Sequence, residues 1–113
     1  MREYPKAIKR LICEYATQAY EAELNQALRE LEQHFQHWQH GAISPFDLSD
    51  HIHTFHSQTA RELWSRYNAR MDDAMVARAI VIGLLPAASI PAELREALAP
   101  LLEFYKQEHE AAT

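Results

Sequence analysis

The sequence predicts an all-α fold: a long antiparallel helical hairpin, about residues 5–40 and 45–67, with two shorter helices packed on it as a small helical bundle. Three observations lead there. Only two of the 113 residues are glycine and five are proline, while Ala, Leu, Glu, Gln and Arg, all good helix formers, dominate the chain. Val, Ile and Thr are few and scattered, which leaves strands little support. Apolar residues recur at spacings of three and four through most of the length, the signature of amphipathic helices. A chain of this size reads as one domain over residues 1–113, long enough to bury one real core.

The first helix is expected from Pro5, which suits a first helical position, to Gln39, with Gly41 stopping it. It carries two stripes. Ile8, Ile12, Tyr15, Ala19 and Ala22 make one; Leu24, Leu28, Leu31, Phe35 and Trp38 make the other. At the helical pitch they point about 150° apart, so a straight helix must serve different partners along its length. The second helix has a clear start: Ser44 as N-cap, Pro45 at N1 and Asp47 at N3, a capping-box arrangement. Its stripe is Leu48, Ile52, Phe55, Thr59, Leu63 and Tyr67. The short link from Gly41 to Ile43 folds helices one and two into a hairpin. A third helix, capped by Asp72 or Asp73 and ended by Pro86, is apolar nearly all round and belongs in the centre of the fold or in an oligomer. A fourth opens at Pro91 with Leu94, Leu98, Leu101 and Tyr105 on one face. Pro100 lies inside it and predicts a kink or short break. The tail after His109 is expected to fray.

Six of the seven histidines fall between His34 and His56. Histidine binds metals, carries protons and senses pH, so chemistry is sought here first. Matching the two stripes sets a hairpin register in which Phe35 faces Leu48 and Leu31 faces Ile52. His34 and His51 then share one level on one flank. His37 and Asp47 lie just beyond them towards the loop, and Glu30 lies a turn further in. Glu32 and His53 share a level on the opposite flank, His56 points inward, and His40 sits at the loop. A metal centre of His34, His37, His51 and Asp47, or Glu30 in its place, is the sharp reading. Imidazoles at i and i+3 beside a carboxylate are how bundle metal sites are built, and neutral imidazole suits a divalent transition metal such as zinc. The ordinary reading is half-exposed histidines hydrogen-bonded to these carboxylates or to backbone, with no cofactor. A third is a pH-dependent interface, because clustered imidazolium ions repel.

Arg29 and His34 stand at an R-x4-H spacing that resembles the motif of helical HEPN-type ribonucleases. The resemblance covers these two residues, implies nucleolytic chemistry at them, and meets Glu30 where a different polar residue is typical. The ordinary reading of Arg29 is a salt-bridged surface arginine. Arg61, Trp64, Arg66, Tyr67, Arg70 and Arg78 mix guanidinium with aromatic groups, as nucleic-acid surfaces do. Glu62, Asp72 and Asp73 are their expected counter-charges. Net charge is −5 with histidines neutral, which disfavours non-specific binding to nucleic acid or anionic membrane. No apolar run reaches membrane-spanning length, and no leader is evident. Cys13 is alone and reads as a buried or half-buried small apolar residue in a reducing cytoplasm. Tyr4, Tyr15 and Tyr20 suggest either a protein interface or packing on the fourth helix. The surplus apolar surface of helices one and three points to a homodimer. The function expected from all this is a small cytoplasmic interaction or regulatory module without catalysis. A metal-binding protein or metalloenzyme is the first alternative, and a HEPN-like ribonuclease the second.

Overall fold

Thirty-four residues with no glycine or proline among them form a single helix, α1 (Lys6–Gln39), in this computed structural model, which describes residues 3–112. Pro5 stands at its N-cap, one position before the expected one. A left-handed Gly41 (φ 75°) ends it. The Gly41 and Ala42 N–H groups return to the carbonyls of Trp38 and His37, a Schellman closure. Ser44 and Asp47 then form the complete capping box that starts α2 (Pro45–Thr54). A one-turn π segment, Phe55–Thr59, runs directly into α3 (Ala60–Tyr67), and the Ala60 N–H bonds the Phe55 carbonyl five residues back. The remaining helices are α4 (Asp72–Val81), α5 (Ala92–Ala97) and α6 (Ala99–Ala112), with a 3-10 turn at Ala87–Ser89. Among the described residues there is no strand.

The two stripes of α1 find two sets of partners. Ile12, Ala16 and Ala19 are buried against Val76, Ala79, Leu94 and Leu98, so the N-terminal half joins α4 and α5 in the main core. Past the Glu23–Arg78 contact, α1 runs beside the π segment, α2 and α3. Together these form a two-helix arm in which Leu48 is the one buried side chain between Gln26 and Ala60. The result is elongated, 53 × 28 × 23 Å.

Several expectations change. The third helix ends at Val81, before Pro86, because Gly83 (φ 84°) takes the left-handed position. The N–H groups of Gly83 and Leu84 bond back to the carbonyls of Ile80 and Ala79. Neither aspartate caps its start: Met71 is the N-cap, and Asp73 accepts from the Ala74 N–H inside the first turn. The short break expected in the fourth helix is present, but it falls at Leu98, between α5 and α6, with Pro100 in the first turn of α6. The last helix continues past His109 to Ala112. Cys13 is exposed.

If Gly83 stops α4, a β-carbon there meets no neighbour but forces an unfavourable backbone. Gly83→Ala is expected to cost about 1 kcal/mol in urea unfolding. Pro86→Ala should change stability by less than about 0.5 kcal/mol. Equal losses would return the stop to Pro86.

Candidate functional site

The arm begins where α1 changes partners, and one carboxylate marks the place. Glu23 accepts from the Tyr67 hydroxyl at 2.6 Å and from the guanidinium groups of Arg66 and Arg78 at 2.5 Å each. Its side chain is only 10% exposed, and Tyr20 stacks on Tyr67 alongside, centroids 4.9 Å apart. Burial by itself would raise the Glu23 carboxyl. The hydrogen bonds from Tyr67 and Arg78, with the charges of Arg78 and Arg66, outweigh it and hold the group below its ordinary value. Burial, then the bond to Glu23 and its charge, push the Tyr67 phenol up. At the far edge of α4, burial and then the Asp73 charge raise Asp72. The Arg66–Tyr67–Arg78 part of the guanidinium–aromatic cluster, whose ordinary reading is the ordered far end of the second expected helix, is an internal clamp. Its counter-charge is Glu23, not Glu62, Asp72 or Asp73. Tyr4, just before α1, and the two tyrosines of α1 are likewise engaged within the chain: Tyr4 donates to Asp73, Tyr15 donates to the Ser89 carbonyl, and Tyr20 stacks.

Beyond the clamp, the hairpin register brings His34 and His51 together. Their rings stack across α1 and α2 with centroids 3.6 Å apart and planes within 8°. His37 meets His34 edge-on at 6.3 Å. Asp47 lies one turn from His51, but its carboxylate accepts from the Ser44 N–H in the capping box. A groove of about 110 Å³ runs beside the stack, lined by Glu30, His34 and His51 with Thr54, Phe55 and Thr59. The π turn thus forms one wall of it, a placement common at functional sites. His53 and Glu32 are exposed on the other side. His56 is also exposed, not turned inward as its wheel position predicts, because the π turn alters the helix phase there. His40 bonds the Gln36 carbonyl through Nδ1 at 2.7 Å.

This geometry bears on metal chemistry. An imidazole binds a metal through a lone pair in its ring plane. Two parallel rings 3.6 Å apart cannot both direct a lone pair at one ion without leaving the stack. Among the described residues no three His, Cys, Asp or Glu side chains are grouped to hold a metal. His34, His37, His51 and Asp47 are therefore neighbours, not a ligand set in this arrangement. Arg29 and His34 lie about 140° apart around α1, so they do not share a face.

The opposite side of the arm, which carries Glu32 and His53, also exposes large apolar side chains. Leu63 is buried, and Glu62 one step before it lines a groove with Glu30 and Thr59. Trp64, one step after, therefore lies on the other side, about 100° further round. Ile52 stands in the same relation to His51 across Leu48, and Leu28 to Glu30 across Leu31. Leu28, Ile52 and Trp64 are 44%, 41% and 59% exposed. Sequence reading placed all three on or near core stripes and missed that the arm has no third layer to cover them.

Compared with protein-family models, curated proteins and solved structures, the chain matches none. Among the described residues no helix is long and apolar enough to cross a membrane.

Replacing Glu23 by Gln leaves two half-buried guanidinium groups short of their counter-charge. The expected loss is about 2 kcal/mol at neutral pH. Because the folded-state carboxyl is depressed, its stabilisation is fully present above the ordinary value of 4.5 and disappears as pH falls through the folded value. Asp72, raised on folding, contributes in the opposite sense. Urea midpoints should fall below about pH 4.5 in the parent chain and fall less steeply in Glu23→Gln. Parallel slopes would show that the clamp does not govern acid stability. Zinc added to metal-free protein should give no saturable stoichiometric binding by calorimetry; a one-to-one isotherm would show that the stacked rings can part to form a site.

Proposed function

We propose that this chain is a helical interaction module that works as a homodimer and carries no catalysis of its own. The supporting observation is the side of the arm that exposes Leu28, Ile52 and Trp64 on two helices with nothing packed over them. A two-helix layer cannot bury both sides of its apolar seam, and uncovered apolar surface of this kind marks an association site. The size fits a partner of the same shape. The helical run 45–67 is about 34 Å long, and two helices side by side span about 20 Å, so the face offers roughly 700 Å². Two such faces give a total close to that of a standard specific interface. A two-fold axis through the face would pair the arms as a four-helix layer, with each copy supplying the same residues. The exposed Cys13 thiol suits a reducing compartment, and the proposal places the protein in the cytoplasm.

Sedimentation equilibrium tests the reading. The parent chain should associate reversibly to a dimer. Leu28→Glu should weaken that association about tenfold or more, since it sets a charge in the centre of the contact. Its far-UV spectrum should not change, because the side chain is already 44% exposed. Glu62→Gln, on the other side of the arm, should associate like the parent. A parent chain that stays monomeric at high concentration would overturn the proposal.

A further inference from the structure

We propose that His34 and His51 form an acid-operated latch: it holds the arm shut while at most one of the two rings is charged and releases it when both are. The pair is the one ring stack that bridges α1 and α2. It lies in the part of the hairpin where only Leu48 is fully buried, with Leu31, Phe35 and Phe55 half-buried around it, so the apolar seam that resists opening is thinner than the core of the base. The base, with its core of Ile12, Val76, Leu94 and Leu98, lies beyond the Glu23 clamp. Next to the stack sits the π turn Phe55–Thr59, an irregular turn about which α2 can swing while α3 stays clamped.

The surrounding charges set the threshold at the second proton. From α1, Glu30 lines the groove with both rings, and His37 meets His34 edge-on. From α2 comes Asp47, held by the Ser44 cap. Thr54 at the end of α2, and Phe55 and Thr59 in the π turn, bring no charge. From α3, Glu62 stands at the far end of the adjoining groove that Glu30 and Thr59 also line. A single imidazolium is accommodated: it lies over the π face of a neutral ring and beside the Glu30 carboxylate. A second places like charges at stacking distance, His37 adds another on the same flank, and one uncapped carboxylate cannot offset them.

Opening also has an effect on the far side of the arm. Leu28 belongs to α1 and Ile52 to α2, so parting the helices divides the apolar face. This consequence, unlike the latch itself, rests on the self-association proposed above.

The latch is read in dilute protein carrying Trp64→Phe, so that Trp38 at the arm tip reports alone. Imidazole proton NMR follows the ring-current shifts that stacking imposes. From about pH 7.5 to about pH 5 those shifts should collapse together for His34 and His51, and Trp38 emission should move to the red. The open fraction should rise about tenfold or more. His51→Gln should abolish the acid change in Trp38, while His53→Gln, on the opposite flank, should keep it. Stacking shifts that persist to the acid limit, or an unchanged Trp38 transition in His51→Gln, would overturn the latch. If His51→Gln fails to fold at neutral pH, the ring shifts of the parent decide by themselves. Sedimentation at the same pH values separates the two proposals: an arm that opens while the dimer persists removes the Leu28–Ile52 interface and leaves the latch standing.

Discussion

The structure turns on Glu23. Helix α1 must present one face to α4 and α5 and, further along, another to α2 and α3. Glu23 sits at that change of partners and is bonded to the last turn of α3 through Arg66 and Tyr67 and to α4 through Arg78. A carboxylate with little exposure and three donors is held far more firmly than any surface ion pair, because the protein has removed the water that would compete. Without it, the end of the hairpin and the central helix α4 have no shared polar anchor, and two guanidinium groups lie against the core short of a counter-charge.

That anchor divides the molecule into unlike parts. On one side is a base whose small buried residues Ala16, Ala19 and Ala79 allow α1 and α4 to approach closely. On the other is an arm two helices thick. A hairpin has two broad sides, and here they differ in chemistry. One carries Glu30, Glu62, His34 and His51 along polar grooves. The other carries Leu28, Ile52 and Trp64 beside Glu32 and His53. The proposed association on one side and the proposed latch on the other would act on the same two helices, so each would influence the other through the separation of α1 and α2.

The hairpin and its register could be read directly. Gly41, the Ser44–Asp47 capping box and two apolar stripes are local signals, and pairing the stripes put His34 level with His51. The π turn left a fainter trace: Phe55, Thr59, Leu63 and Tyr67 are spaced by four three times over. That is 4.0 residues per turn, and a helix of 3.6 would rotate such a stripe off its face by about 120°. One extra residue restores the phase. Gly83 was equally open to view, but the proline three residues later drew the helix end towards itself. Glu23 gave no such sign, since it lies between stripes and its partners are 43 to 55 residues away.

The amino-acid sequence by itself determined that the chain is helical, where its hairpin turns and which histidines share a level. Those follow from backbone preferences, caps and the periodicity of apolar side chains, all of which act over a few residues. Only the tertiary structure decided that Arg66 and Arg78 close on Glu23, that the tyrosines of α1 turn inward, and that the rings of His34 and His51 meet face to face. It also decided which apolar residues stay uncovered. Those outcomes depend on how many layers lie over each helix and on rotation angles that small local irregularities, such as one π turn, shift by a quarter of a circle or more.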